Sequence, residues 1–385
     1  MKISVKIIQI FVGVLFIVSG LVKANDPMGL GYKMQEFFEL WNAELASGNF
    51  FLKGALMALF EFLHQYAIAL SVLMITLEII AGVAILIGYL RNFFLWLLLV
   101  LIIFFTFLTG YAYLSGKFSN CGCFGDCLPI TPLTSFIKDI LLLVMIVFLI
   151  AGKKYIIPVL SSSARKIIFW STAIISLLMQ WYVLKNLPFA DCLPFKQGNN
   201  ISQQMLPPPG SVPDSFAMKF IYEKDGKQFE FAPEELPADL ENYTFIDRKD
   251  KLVRKGNAEP PIKNFSLTGL SGSDSTSVVL EQPKAILIFA QELHQPGWKN
   301  KVLQLSTAAA DSGIPVYLAT PSATAASNIF IREKHSIQFF NADFTIVRTT
   351  ARTEPTIYIL EKGTIRHKLS RNEFDDAEII ISQNK

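Results

Sequence analysis

The chain has 385 residues, of which 51% are hydrophobic and 17% charged, with a formal net charge of +3. Only 21 charged side chains fall in the first 190 residues, against 46 in the remaining 195, so the first half lies far below the roughly one-quarter charged of an ordinary soluble domain. A single soluble enzyme is excluded, and so small a net charge gives no argument for a nucleic-acid partner.

In chain order, the first half reads as an all-α membrane bundle of about five spans: Ile3–Val22, Ala67–Leu90, Phe93–Leu114, Leu133–Ala151 and the slightly more polar Ile167–Leu187. Each approaches the roughly 20 residues a crossing helix needs. The first follows Lys2 and Lys6 like a secretory signal. Its apolar run is longer than a signal's, and no small-residue cleavage site follows before Lys23, so it reads as an uncleaved span. Between the first two spans, Asn25–Gln65 contains two stretches with helical spacing of apolar residues, Lys33–Asn42 and Gly54–His64. These suit interfacial helices.

Lysine and arginine set the orientation. Lys2, Lys6, Arg91, Lys153, Lys154, Arg165 and Lys166 mark one side with no acid beside them. Lys23, Lys33, Lys53 and Lys117 mark the other, diluted by six acids. The expectation is a cytoplasmic N-terminus and a C-terminal domain outside, which in a bacterium means the periplasmic side of the inner membrane, with the lipid bilayer as the first partner.

All four cysteines then fall on the exported side. Cys121, Cys123 and Cys127 lie in Asn120-Cys121-Gly122-Cys123-Phe124-Gly125-Asp126-Cys127, and Cys192 follows the last span. That compartment permits disulfides. Gly122 and Gly125 allow tight turns, and a bridge inside so short a loop would be strained and ready to exchange. Four cysteines allow three full pairings, so three readings stand open: active exchange, two static bridges such as one tying the loop to Cys192, or a thiolate metal site. The metal is least favoured, with no histidine nearby. Glu78, in the middle of the second span, is the one clearly intramembrane acid. It reads as a proton relay, a site for a membrane quinone, or a neutral acid bonded to a neighbouring helix. Gln180 reads as an interhelical hydrogen bond.

Phe11-Val12-Gly13-Val14-Leu15-Phe16, Ser19-Gly20-Leu21-Val22-Lys23, Glu78 with Gly82 and Gly88, and above all Cys121-Gly122-Cys123-Phe124-Gly125-Asp126 resemble the DoxX/MauE family over about residues 1–150. Its bundles are similar in plan to the membrane domain of vitamin K epoxide reductase. The resemblance implies links to methylamine utilisation, where MauE-type members help form disulfides in an exported subunit, or to quinone-coupled sulfur oxidation. It marks Cys121 and Cys123 as the redox pair and Lys23 and Glu78 as family polar positions. Cys127, the fifth span and the fused C-terminal domain depart from the family pattern.

Residues 191–260 read as a linker, rich in Asn, Gln and Pro over Asn199–Pro213, followed by a hairpin over Lys219–Phe231. From about Pro261 to the C-terminus the order is strand, helix, strand, helix, strand, strand, helix, with strands at Ala285–Ala290, Pro315–Ala319, Thr356–Leu360 and Thr364–Lys368 and helices at Lys299–Asp311 and Ser322–Glu333. This resembles a soluble α/β thioredoxin-like domain, with Pro355 as its cis-proline. Where that fold carries Cys-x-x-Cys, this chain has Gln291–Trp298 without a cysteine. Such a domain performs no disulfide exchange alone, and a groove at Pro355, Trp298 and His294 is expected to hold an extended peptide of an exported client. His335 and His367 read as ordinary loop histidines. No nucleotide-binding or metalloprotease motif occurs.

Overall fold

The structure is a computed structural model that describes residues 1–48, 51–118, 122, 125, 127–128, 130–254, 256–291, 293, 297–330 and 336–383. Among the described residues, five helices are long and apolar enough to cross a membrane: α1 (Lys2–Ala24), α4 (Ala67–Ile87), α5 (Arg91–Ser115), α6 (Pro132–Ala151) and α7 (Ser162–Lys185). The second span stops short of Leu90 because Gly88 takes a left-handed conformation (φ 69°), which caps α4. Between α1 and α4 lie α2 (Pro27–Ser47) and α3 (Lys53–Gln65). α2 starts at Asp26, whose carboxylate accepts the Gly29 N–H at 3.0 Å, with Pro27 in the first helical position.

The bundle core is aliphatic and aromatic, built on Val12, Phe16, Ile85, Leu98, Ile146 and their neighbours. α1 and α4 make its closest crossing. A Cβ on Gly82 would stand 2.7 Å from the Gly13 carbonyl oxygen, so side-chain-free positions on both helices let the backbones meet. α2, α3, Gly122, Gly125 and the C-terminal end of α7 gather at one end of the bundle, and the rest of the chain is attached there.

That remainder holds two sheets. The smaller is antiparallel in the order β2-β1-β3, with β1 at Ser215–Lys224, β2 at Lys227–Phe231 and β3 at Thr244–Arg254. The β1–β2 turn places Asp225 and Gly226 at φ 51° and 72°, the pairing a two-residue hairpin of matching twist requires. The expected hairpin is therefore there with a third strand beside it. β3 carries no apolar period in the sequence, because its centre, Asp247-Arg248-Lys249-Asp250-Lys251, is wholly charged.

The larger sheet has six strands in the order β4-β7-β6-β5-β8-β9: β4 (Thr268–Gly269), β5 (Ala285–Phe289), β6 (Val316–Thr320), β7 (Ile337–Asn341), β8 (Thr356–Glu361) and β9 (Thr364–Leu369). β5, β6 and β7 run parallel, while β8 is antiparallel to β5 and pairs with β9 across Lys362-Gly363. Both faces are covered. α10 (Trp298–Asp311), α11 (Ala323–Phe330) and α13 (Phe374–Ser382) lie on one. On the other are α9 (Thr276–Leu280), α12 (Phe344–Thr350), and Phe195 and Ile201 ahead of the sheet, Ile201 opening the short α8 (Ile201–Gln204). Four elements, β4, α9, β7 and α12, stand where the sequence showed none. The start of the stretch read as linker is packed: Ile201 is fully buried and its N–H donates to the Gly363 carbonyl at 2.9 Å.

Candidate functional site

Inside the bundle the structure assembles charge. Lys23, in the last turn of α1, donates from Nζ to Glu78 Oε2 of α4 at 2.5 Å, and both are almost fully buried. The ammonium also stands 4.6 Å from the centre of the Phe105 ring on α5. Beside this pair, α6 contributes Asp139, with no exposed surface. Lys138 Nζ lies 2.8 Å from Asp139 Oδ1, and the Thr109 hydroxyl of α5 donates to Oδ2 at 3.0 Å. Ser19, Lys23, Glu78, Lys138 and Asp139 line a common cavity of only about 10 Å³, about one water-sized probe.

Glu78 is therefore the paired acid of a two-lysine, two-carboxylate cluster. Asp139 is a second intramembrane acid that the sequence reading missed. Its signal was available: Lys138-Asp139 sits seven residues past Thr131, the α6 N-cap, about 10 Å along the helix axis. A charge pair that near a span's start reads as flanking charge. Gln180 on α7 makes its interhelical bond, donating to the Thr76 hydroxyl of α4 at 3.0 Å.

Gly122 and Gly125 lie at the bundle end where α1 meets α2, against Lys33 and Val22. Gly122 and Gly125 have φ of 67° and 59°, and the Gly125 N–H donates to the Gly122 carbonyl at 3.0 Å, forming a tight turn. A Cβ on Gly122 would stand 3.1 Å from Lys33 Cγ of α2. Cys127 is disulfide-bonded to Cys192 across 65 residues of sequence. Cys121 and Cys123 lie outside the described residues.

The same end docks the six-stranded sheet through ion pairs whose basic partners are buried. Arg352 Nε lies 2.9 Å from Asp26 Oδ2, and Arg348 donates to Glu39 at 3.1 Å; both guanidinium groups also stand over the Tyr32 ring. Lys368 donates to Asp191, next to the bridged Cys192, at 2.6 Å. Asn25 both donates to the Ala190 carbonyl and accepts the Ala190 N–H. Burial pulls the Lys368 ammonium below its usual range, only partly countered by Asp191. Burial first, and Glu354 second, push the Tyr32 hydroxyl well above its usual range, although Arg352 and Arg348 oppose them.

Of the residues expected to line a peptide groove, the structure describes Trp298 and Pro355. Trp298 is 3% exposed and packs in the core against Phe330. Pro355 follows a cis bond from Glu354 and is buried. The Glu354 carboxylate accepts the Gln291 N–H at 2.9 Å. His294 and His335 lie outside the described residues.

Comparison with known families turns on the helical half. Residues 1–152 match the model of the family described as Methylamine utilisation protein MauE. The chain's first 152 residues are MauE-like. The match ends one residue past α6, so α7, both sheets and Cys192 lie beyond it. Within the MauE-like part fall Lys23, Glu78, Asp139 and three of the four cysteines. Residues 216–255, the three-stranded sheet, match the model of a Domain of unknown function (DUF8463). No curated protein and no solved structure matches the chain.

Proposed function

We propose that this multi-pass membrane protein is a thiol–disulfide oxidoreductase of a bacterial inner membrane, oxidising exported client thiols through Cys121 and Cys123. The observation that carries the reading is the Cys127–Cys192 bond. It takes up two of four cysteines and leaves Cys121-Gly122-Cys123 as the pair available for exchange, inside the part that matches the MauE model. The lysine and arginine distribution supports a cytoplasmic N-terminus and a periplasmic six-stranded domain. That domain is thioredoxin-like in this reading: its β5-α10-β6 unit and cis-proline hairpin β8–β9 support the likeness, and having no cysteine it takes no covalent step. The matched family's description names methylamine utilisation; the proposal concerns the thiol chemistry and names no pathway.

Alkylation trapping in cells, followed by peptide mass mapping, tests this. Cys121 and Cys123 are expected to shift between thiol and disulfide as quinone supply changes, while Cys127–Cys192 stays oxidised. Cys121 and Cys123 fully oxidised with and without quinone would end the exchange reading. The alternative is a non-enzymatic, membrane-anchored binding or assembly protein with structural disulfides. It is favoured by the anchoring of the Cys192 segment through Asp191–Lys368, and it expects Cys121→Ser to lower abundance, where the redox reading expects lost activity at normal abundance.

A further inference from the structure

We infer that a second copy of this chain pairs with the first along β3, edge to edge and antiparallel, joining the two three-stranded sheets into one. β3 is an edge strand: it bonds to β1 on one side, and its other side has no partner strand among the described residues. All 11 of its residues are exposed. Phe245, Ile246, Leu252 and Val253 are each between 45% and 65% exposed. A free edge of this kind is a template for a further strand. It belongs to the segment that matches a domain of unknown function.

The order of residues along β3 selects which strand that is. Phe245-Ile246-Asp247-Arg248-Lys249-Asp250-Lys251-Leu252-Val253 runs as two apolar residues, acid, base, Lys249, acid, base and two apolar residues. Laid antiparallel on its own copy about Lys249, the strand sets Asp247 opposite Lys251 and Arg248 opposite Asp250. Ile246 then faces Leu252, and Phe245 faces Val253. Twofold symmetry makes each of these pairs occur twice. Opposite charges directly across an antiparallel pair stabilise it, and like charges weaken it. A symmetric antiparallel pairing always sets one residue against itself, so the neighbouring registers centre on Arg248 and Asp250. The first opposes Ile246 to Asp250, and the second opposes Lys249 to Lys251. Neither is complementary. The same charges disfavour strands of unrelated sequence, which do not match them.

The surroundings of the charges agree. The ladder to β1 is unbroken from Asp247 to Leu252, so the charged centre is regular strand. Lys249, which meets its own counterpart, already donates to Glu230 of β2 at 2.8 Å and is neutralised on its own sheet. Arg248 holds Asp250 through two bonds of 2.7 Å, and across the axis two such pairs alternate in sign. Asp247 and Lys251 form no salt bridge among the described residues. The pairing supplies each with an opposite charge.

The test places the full-length protein in liposomes, half of the copies carrying a donor fluorophore at the C-terminus and half an acceptor, at a density where chance encounters give no energy transfer. Transfer is expected from the parent protein. Asp247→Lys and Lys251→Asp each set like charges opposite at two places, and each is expected to weaken association about tenfold. The two substitutions combined in one chain restore the opposition and are expected to recover the parental transfer, which excludes misfolding as the cause of the single variants' loss. No transfer from the parent would overturn the pairing, as would transfer that the single variants leave unchanged. A double variant no better than the singles would overturn it equally, because the charges would then act within one chain.

Discussion

Lys23 and Glu78 meet where neither has water to fall back on. An intramembrane charge is tolerated when it is paired inside the bundle, and breaking such a pair is far costlier than replacing it whole. Glu78→Gln is therefore expected to destabilise the bundle by about 3–5 kcal/mol, because it strands the Lys23 ammonium. Lys23→Met with Glu78→Met is expected to recover most of that loss. Thermal unfolding of the purified variants in detergent measures both, and a double variant no better than Glu78→Gln would remove the pair from its structural role. Glu78 was visible in the sequence because a lone acid amid apolar residues has no other explanation. Asp139 was not, since Lys138 beside it gave the appearance of an interfacial charge pair. Arg348 and Arg352 were equally hidden. Their partners Glu39 and Asp26 are more than 300 residues away, and no local pattern announces an ion pair that only docking creates.

At the level of helices and strands, what could be read from sequence was what long-period hydrophobicity encodes. All five spans came through, with ends shifted by up to five residues where caps such as Gly88 and Ser161 decide. β7 and α12 did not: Ile337-Gln338-Phe339-Phe340-Asn341 is neither a continuous apolar run nor a strict alternation, and α12 is short and rich in Thr, Ile and Val, weak helix formers that tertiary packing overrides. Trp298 opens α10 and turns inward as core, which burial alone decides. The α1–α4 crossing yields a sharper expectation. Gly82→Ala places a methyl group where the Gly13 carbonyl stands, so a cost of about 1–3 kcal/mol is expected. Lys23 and Glu78 lie on the same two helices, so the shift also separates them. A melting temperature unchanged by this substitution would mean that the two helices do not cross this closely.

Across the whole molecule, the six-stranded domain and the membrane bundle share one buried polar junction, and its acidity gives a pH signature. The Tyr32 and Tyr358 hydroxyls are both raised in the folded state, chiefly by burial. A group whose pKa is higher folded than unfolded adds stability below its unfolded value, about 10 for tyrosine, and loses that contribution as pH climbs past it. Lys368, lowered by burial, acts in the opposite sense over the alkaline range. Two tyrosines against one lysine give a net fall in unfolding temperature above about pH 10. Tyr32→Phe is expected to shallow that fall in a pH series of thermal melts, and a slope identical to the parent's would place Tyr32 outside the buried junction. The bridge from Cys127 to Cys192 has a consequence for biosynthesis. Its two sulfur atoms are separated in the chain by α6 and α7, so the bond closes only after the final hydrophobic hairpin has been inserted. Until then Cys127 waits as a third thiol beside Cys121 and Cys123, and the nascent polypeptide passes through an interval in which the wrong partners are the nearest ones.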